Sequence, residues 1–242
     1  MKQLVIFIPT LNESGTIEAL LEKIHLVSPT ADILVVDDNS NDGTQEILKD
    51  LQKVLPLKII NRPGKMGIGT AHIEALNYAK NQRYKLMISM DADGAHDPKF
   101  IPDILAALNN SELVVGSRYM QSDSLDDWSS FRKLLTHSVH LVTRISLGLR
   151  HDSSSGFRGY KISQIPEVLF SGLRSEGYDF FFESMYEMNV RKLKISEVSI
   201  VLPARTYGHS KMTIRLAFVA LKTLLIVTLR RLKRIGKNNE KQ

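Results

Sequence analysis

Two aspartates near the middle of the chain carry the residue types best suited to chemistry. Asp91 and Asp93 are separated by one residue and follow the apolar run 86–90, which predicts a buried strand. Ligands of open α/β sheets bind where parallel strands end. Paired carboxylates there suit a hard divalent cation, Mg²⁺ or Mn²⁺, and leave coordination positions for a phosphate-bearing substrate. A solvated turn that contains two aspartates is the alternative, and the short pattern alone does not decide between them.

The preceding elements must position these carboxylates. Apolar runs predict strands that alternate with helical patterns, which indicates an α/β fold with a Rossmann-like, doubly wound, mainly parallel sheet and flanking helices. Three of the strands end in polar loops that are expected to share one edge of the sheet and to form a single pocket. The predicted strands cover residues 4–9, 33–36, 57–61 and 86–90, and the loops cover 9–13, 37–43 and 91–98.

Two further loops have alternative interpretations. Asp37 or Asp38 could accept hydrogen bonds from a ribose or a base edge, as acids do in dinucleotide-binding folds, although capping of the next helix would also explain the polar residues 39–42. The basic, glycine-rich loop 62–69 fits neither a Walker motif nor GxGxxG. Its glycines permit close backbone approach and its cations favour phosphate, but an ordinary basic turn is the alternative.

Composition limits the class of protein. The 242 residues, 43% of them hydrophobic, suffice for one large α/β domain, and the lack of cysteine excludes disulfides, thiolate metal sites and cysteine nucleophiles. The formal charge of +6 is uneven, because residues 205–242 hold ten Lys or Arg and one Glu, a charge of +9, which leaves −3 for the rest. Such an asymmetry suggests contact with an anionic surface, lipid or nucleic acid, at one end. The apolar run at the amino terminus is too short for a signal peptide or a membrane span.

Taken in order, these motifs resemble the inverting family 2 glycosyltransferases of GT-A fold, and among them the dolichol-phosphate or polyprenol-phosphate mannosyltransferases. The resemblance covers nearly the whole chain, and this collinearity is more specific than any single motif. The residues that carry it lie at 8–13, 35–44, 62–69, 90–93, 116–119, 128, 132, 152–158, 177–183 and 205–211.

The resemblance implies metal-dependent transfer of a hexose, mannose from GDP-mannose, to a polyprenyl monophosphate. It implies that Asp91 and Asp93 meet the metal and the diphosphate, and that Arg205 and Lys211 close over the donor diphosphate. It implies a donor pocket lined by Pro9, Leu11, Glu13, Val36, Asp38 and Ala92, and an acceptor-phosphate site formed by Arg118, Arg132 and Thr136.

Three departures from the family pattern are informative. Leu11 stands where an aromatic residue usually packs on the base, which leaves guanine and uracil open, and Thr136 replaces a serine. Gly94-Ala95 offers no side-chain oxygen where relatives often have a third metal ligand, so Asp97 or water would have to take that position.

The nucleophile expected here needs no strong base. A phosphate monoester is already ionised near neutral pH, so the site can be rich in cations and poor in bases. We therefore expect His96, His137 and His140 to be structural.

The second half of the chain is expected to contain the acceptor site and the membrane contact. The periodicity over 133–149 predicts an amphipathic helix that would lie beneath the acceptor site. Glu183, on a later helix, would ordinarily be solvated, but the resemblance implies a role beside Arg118 or Arg158. The apolar set of the first helix comprises Leu134, Leu135, Val139, Val142 and Ile145.

The last helix, predicted over 213–232, has an apolar side, a thin basic stripe and a basic end at 230–237, and is too interrupted to span a bilayer. An in-plane helix on an anionic membrane is the interpretation, and packing on the sheet or on a partner subunit is the alternative. We expect a catalytic domain at 1–211, the interfacial helix at 212–235 and a polar tail at 236–242. The protein would be peripheral on the cytoplasmic face, with help in anchoring from a membrane partner protein, and removal of residues after Lys211 would spare donor binding.

Other functions stay open at this point. A GT-A enzyme could use a UDP-sugar and a glycan acceptor in polysaccharide synthesis, or a nucleotide-sugar binding module could have lost turnover. A nucleic-acid-binding protein is compatible with the basic tail alone, but no recognised motif supports it, so no nucleic-acid partner is expected.

Overall fold

The computed structural model describes residues 2–121, 124–125, 128, 130–202 and 214–239. The first half alternates strands and helices: β1 (Leu4–Thr10), α1 (Ile17–Val27), β2 (Asp32–Asp37), α2 (Thr44–Leu51), β3 (Leu57–Asn61), α3 (Ile68–Asn81), β4 (Leu86–Ser89), α4 (Ile101–Leu108) and β5 (Leu113–Ser117). The second half is mainly helical: α5 (Ser130–Leu147), β6 (Arg158–Lys161), α6 (Val168–Ser171), α7 (Asp179–Val190), β7 (Ile195–Ser199) and α8 (Ile214–Asn239). Single 3₁₀ turns lie at Pro98–Phe100 and Ile162–Gln164.

The seven strands form one sheet in the order β3-β2-β1-β4-β6-β5-β7. Strands β1 to β4 pair in parallel, as the alternating pattern predicts, and β5 pairs in parallel with β7. Strand β6 is antiparallel to both of its neighbours, β4 and β5. This α/β sheet with flanking helices confirms the predicted fold class. Because β1, β2 and β4 are parallel and adjacent, the loops after them leave the same edge of the sheet.

Two apolar layers cover the sheet. Helices α1, α2 and α4 pack on one face, while α3, α6, α7 and part of α8 pack on the other. In the second layer the buried ring of His72 on α3 lies among Phe7 of β1 and Phe180 and Phe181 of α7, with centroid distances of 4.9, 4.9 and 5.1 Å. His72 therefore joins the first half of the chain to the second.

Helix α5 does not pack against the protein through the apolar face that its sequence predicts. Thr143 and Leu147 are buried, and His140 stacks on Tyr119 at 4.1 Å between ring centroids. Members of the expected apolar set are instead exposed, with Leu134 at 66% and Ile145 at 69%. The apolar set is therefore not the face through which this helix packs, because its buried face is mixed polar and apolar.

Helix α8 is apolar on two sides. Val227 is buried and Leu224 is partly buried against the core, whereas an outward row comprising Phe218, Leu221, Leu225, Leu229 and Leu232 is exposed. Helix α8 joins α5 through Arg231, whose Nη1 donates to the carbonyls of Ile145 and Ser146 at 2.8 and 2.9 Å. Within the described part of the chain, no helix has the length and apolar character needed to cross a bilayer.

Candidate active site

One cavity lies at the edge of the sheet where β1, β2 and β4 end. The residues predicted from the sequence to form the donor pocket line this cavity together, and both aspartates of the central pair are among them. Its lining includes Pro9, Thr10, Leu11, Glu13, Val36, Asp38, Arg62, Lys65, Gly67, Ile68, Ala71, Asp91, Ala92, Asp93, Gly177, Tyr178 and Leu216.

The first two loops hold each other in place. The amide of Asn12, a residue with φ of 53°, donates to Ser40 Oγ at 2.8 Å, and the Glu13 amide donates to Thr44 Oγ1 at 3.0 Å. Asp42 Oδ2 accepts from the Ser14 amide at 3.0 Å. Burial alone would raise the pKa of Asp42, but hydrogen bonds from Thr44 and Ser14 lower it to about 2. Because the loops are tied through main-chain groups, this side of the cavity is preorganised.

Asp38 joins the second strand end to the glycine-rich loop. Its Oδ2 accepts from the amides of Met66 and Gly67, both at 3.2 Å, and its Oδ1 pairs with the guanidinium of Arg62. Arg62 is itself buried and donates to Thr70 Oγ1 at 2.6 Å. Asp38 thus shapes the wall of the cavity. Arg62 and Lys65 of this loop both line the cavity, and the guanidinium of Arg62 is held by Asp38 and Thr70.

The glycines of this loop allow the backbone of another segment to approach closely. Gly67 has φ of 96°, and a Cβ there would collide with the carbonyl of Glu176. At Gly69 a Cβ would lie 2.8 Å from the Ser175 carbonyl oxygen, and its amide donates to the Glu176 carbonyl at 2.8 Å. The close approach predicted from the sequence is therefore made by residues 175–176, which directly precede Gly177 and Tyr178 of the cavity lining.

The central carboxylates, Asp91 and Asp93, follow the carboxyl end of β4. Asp91 has a side chain that is 32% exposed, and a Cβ on Gly156 would lie 3.0 Å from Asp91 Oδ1, so the glycine leaves room around that oxygen. Asp93 is mostly buried, and its Oδ1 accepts from the Ala95 amide at 3.1 Å. Two carboxylates with hard oxygen donors, one of them in a glycine cradle, fit Mg²⁺ or Mn²⁺ whose other ligands come from phosphate and water.

Two neighbours of this pair are structural. Nδ1 of His96 accepts from the Asp91 amide at 2.9 Å, and its ring stacks on Phe157. Burial lowers the pKa of His96, so the ring is neutral and its 3.8 Å approach to the Asp91 carboxylate is no ion pair. Asp97 caps the 3₁₀ turn through the Lys99 amide at 3.0 Å, pairs with Lys23, and borders a different cavity. In the described part of the chain no group of three acidic or histidine side chains forms a metal cluster. Compensation by Asp97 is therefore not supported.

Of the residues expected to hold the acceptor phosphate, the structure describes the side chains of Arg118 and Thr136 but not that of Arg132. Arg118 Nε donates to the buried Asp152 Oδ2 at 2.8 Å. Burial would raise the pKa of Asp152, but Arg118 and hydrogen bonds from Ser154 hold it below its usual value. The Thr136 carbonyl accepts from the Tyr119 hydroxyl at 3.2 Å, so Thr136 lies next to the Arg118 segment. Arg132 belongs to α5, but its side chain lies outside the described part, as do Arg205 and Lys211 entirely.

Glu183 does not have the partners that we expected. It is buried on α7, where Oε1 pairs with Arg230 of α8 at 3.3 Å and Oε2 accepts from the amides of Arg174 and Ser175. Arg158 uses carbonyls and Ser184 Oγ as its partners. Tyr178 and Leu216 also line the cavity and were not predicted to do so, although Tyr178 lies within the motif at 177–183.

The chain is similar to several known proteins. Residues 5–165 match the model of glycosyl transferase family 2. The chain is 32% identical over 208 residues to undecaprenyl-phosphate mannosyltransferase of Micrococcus luteus, covering 85% of this chain and 86% of the relative. It is 30% identical to polyprenol monophosphomannose synthase of Mycolicibacterium smegmatis, covering 86% and 80%. It is 30% identical to dolichol-phosphate mannosyltransferase of Pyrococcus furiosus, covering 86% of this chain but 58% of the relative.

Solved structures with similar folds include glucosyl-3-phosphoglycerate synthase of Mycobacterium tuberculosis. A complex of that enzyme with Mn²⁺, UDP-glucose and phosphoglyceric acid has a TM-score of 0.68 at 20% identity, covering 94% of this chain and 80% of that chain. A complex with Mg²⁺ and UDP has a TM-score of 0.65 at 19% identity, covering 94% and 79%. At these identities the likeness concerns the fold alone.

Proposed function

Because the chain belongs to glycosyltransferase family 2, we propose that it transfers mannose from a nucleotide donor, GDP-mannose, to a polyprenyl monophosphate at a membrane surface. The observation that carries the proposal is the agreement of three relatives, at 30–32% identity over most of this chain, which are all named for mannose and a polyprenyl or dolichyl phosphate. The cavity supports it, because paired carboxylates line it at the carboxyl ends of parallel strands, where open α/β sheets bind their ligands.

In the proposed reaction an oxygen of the acceptor phosphate attacks C1 of the sugar. The bond from C1 to the donor diphosphate breaks as the new C1–O bond forms, with inversion at C1, and the nucleoside diphosphate leaves with the electron pair. The acceptor is a phosphate monoester that is ionised near neutral pH, so no proton has to be removed. The neutral, buried state of His96 is consistent with a site that uses no histidine base.

On the donor side, Pro9, Leu11, Glu13, Val36 and Asp38 would surround the nucleoside, and Ala92 would lie beside the ribose. Asp91 and Asp93 would hold Mg²⁺ or Mn²⁺, which when bound neutralises charge on the diphosphate. Lys65 lines the same cavity and would add a positive charge near the diphosphate. Arg205 and Lys211 would complete that charge stabilisation.

On the acceptor side, Arg118, Arg132 and Thr136 would bind the lipid phosphate. Asp152 holds the Nε edge of Arg118, which fixes the direction of the guanidinium before substrate arrives. The preorganised guanidinium then binds phosphate with little loss of side-chain entropy.

The membrane contact would be made by α5 and α8 together. Leu134, Val142 and Ile145 on α5 and the outward row on α8 are exposed, and Arg231 fastens the two helices to each other. Lys222 and Lys233 are exposed on α8, where they can contact anionic head groups. Arg230 and Arg231, by contrast, have partners within the protein. We propose a peripheral enzyme on the cytoplasmic face, where nucleotide sugars are available to the cavity.

A transfer assay tests the proposal. Purified protein with Mn²⁺ would be incubated with labelled GDP-mannose or UDP-glucose and with one of two acceptors, undecaprenyl phosphate in anionic vesicles or a soluble glycan. We expect a lipid-linked mannose product that depends on both GDP-mannose and the lipid phosphate. Transfer from UDP-glucose to a glycan in place of the lipid would favour polysaccharide synthesis, and nucleotide binding without transfer to either acceptor would indicate a binding module.

A further inference from the structure

One wall of the donor cavity is a short segment held between two helices. Residues 174–178 precede α7, and Gly177 and Tyr178 of this segment line the cavity. The segment contacts α3 through the Glu176 carbonyl, which accepts from the Gly69 amide at 2.8 Å. Its own amides have to be satisfied from the other side, and two buried carboxylates of α7 do this.

Asp179 supplies the first of these links. One oxygen, Oδ1, accepts from the Gly177 amide at 3.1 Å, and the other, Oδ2, accepts from the hydroxyl of Thr223 on α8 at 2.7 Å. The side chain is buried, so both hydrogen bonds are shielded from water. A single carboxylate therefore joins the cavity wall to α8.

Glu183 repeats the arrangement one turn later. Its Oε2 accepts from the amides of Arg174 and Ser175 at 3.2 and 3.1 Å, and Oε1 pairs with Arg230 on α8 at 3.3 Å. In both carboxylates one oxygen faces the wall and the other faces α8. Two equivalent links from one helix fix the wall with respect to α8 in position and in rotation.

Helix α8 also reaches the cavity directly. Leu216, in its first turn, lines the cavity, and a Cβ on Gly177 would lie 3.6 Å from the Leu216 side chain. The same helix carries the outward apolar row that we assign to the membrane. Removal of the chain after Lys211 would therefore remove part of the donor cavity, contrary to the expectation of a separable anchor.

We propose that Asp179 and Glu183 are positioning residues that couple the donor cavity to α8, so that the seating of α8 on α7 sets the affinity for the donor nucleotide. This inference rests on the proposed function, because it requires that the cavity binds a nucleotide. Coupling between two sites is reciprocal, so if membrane contact seats α8 more firmly on α7 it raises donor affinity, and donor binding raises membrane affinity by the same factor.

The test compares two threonines of α8. Thr223→Val removes the hydrogen bond to Asp179, whereas Thr228→Val makes the same change at a hydroxyl that donates only within the helix, to the Leu224 carbonyl at 2.7 Å. With GDP and UDP as probes in the presence of MnCl₂, calorimetry should give a Kd raised about three- to tenfold for Thr223→Val. Thr228→Val should stay within about twofold of wild type. In transfer assays, KM for the donor should rise in Thr223→Val while kcat is retained.

Arg230 gives a second, independent variant. Arg230→Met should raise the Kd for the nucleotide, and Arg230→Lys should restore much of the affinity because it keeps a cation beside Glu183. The nucleotide should also raise the affinity of wild type, but not of Thr223→Val, for anionic vesicles. Equal nucleotide affinity in wild type, Thr223→Val and Arg230→Met would overturn the coupling and leave the proposed function intact. If wild type bound neither GDP nor UDP, the proposed function would fail, and this inference with it.

Discussion

The two sides of the donor cavity are built in different ways. On the side formed by β1, β2 and β4, loops at neighbouring strand ends hydrogen-bond directly to one another, as Asn12 does to Ser40. On the opposite side, residues 174–178 depend on buried carboxylates of α7 that also contact α8. The first side follows from the topology of a parallel sheet. The second follows from individual long-range contacts, so each side should respond differently to substitution.

The largest effect is expected on the first side, at the central carboxylates. Asp93→Asn removes a negative charge and one of the two proposed metal ligands, with little change in side-chain volume. We expect transfer to fall by on the order of 10²–10³-fold or more, since charge stabilisation of the leaving group is lost. Steady-state kinetics would measure the loss, and the melting temperature should stay close to that of wild type.

A matched control lies four residues away. Asp97→Asn makes the same chemical change at a carboxylate that caps a turn and borders the other cavity. It should lower stability by less than about 1 kcal/mol, because Asn caps as well as Asp and only the partly exposed ion pair with Lys23 is lost, and it should keep most of the activity. Near-normal activity in Asp93→Asn, or a comparable loss in Asp97→Asn, would contradict the assignment of the metal site.

The next largest effect is expected where the two sides meet. Gly67→Ala places a Cβ against the Glu176 carbonyl at a residue with φ of 96°. We expect a loss of about 2–3 kcal/mol in unfolding free energy, or roughly 4–12 °C in melting temperature, together with weaker nucleotide binding. Gly64→Ala in the same loop is the control, because a Cβ there meets nothing within 4 Å. Equal melting temperatures for the two variants would show that the walls do not touch as closely as described.

The sequence predicted the first side well because periodicity reports on both the strands and their ends. The bounds of β1, β2 and β3 agree with the predicted strands to within one residue at each end, and the residues expected in the donor pocket line one cavity. Parallel pairing brings strand ends together without any specific side-chain contact. Residue roles at that edge, as distinct from their positions, stay predictions.

The second half was less predictable because apolar periodicity does not say which face a helix buries. In α5 the conspicuous apolar set, including Leu134 and Ile145, is exposed, and Thr143 and Leu147 are buried instead. Glu183 likewise has Arg230 as its partner, 47 residues later in the chain. Such a contact has no local signature, since it depends on how α8 folds back on α7.

A smaller effect is expected from substitutions on the exposed faces of α5 and α8, and it tests the proposal that these faces contact the membrane. Leu225 is 63% exposed on α8, so Leu225→Ser should leave the fold unchanged but remove apolar surface from the lipid contact. We expect a roughly tenfold weaker partition into anionic vesicles, measured by co-sedimentation. Leu26→Ser is the control, because Leu26 is 80% exposed on α1, on the opposite face of the sheet. Equal loss for both variants would show that the contact is not specific to α8.

The smallest effect is expected at His72, which packs between Phe7 of the first half and the phenylalanines of α7. The pKa of His72 is lowered from 6.5 to about 3, chiefly by burial and to a smaller extent by the nearby Arg158, while the hydrogen bond to the Ile68 carbonyl opposes the shift. The unfolded chain therefore binds a proton at this residue below about pH 6.5 while the folded chain does not. Stability is fully present above that pH and falls as the pH decreases towards 3.

From this one site, the unfolding free energy should fall by about 1 kcal/mol between pH 6.5 and 5.5. His72→Leu removes the titrating group but keeps an apolar side chain among the rings. Between pH 6.5 and 5.5 the unfolding free energy of this variant should therefore fall by about 1 kcal/mol less than that of wild type. Denaturant titrations of both proteins at the two pH values measure the difference. Parallel pH profiles would mean that His72 accepts a proton in the folded state, and hence that water enters the contact between α3 and α7. In that case the two halves of the molecule would be less tightly joined than the aromatic cluster indicates.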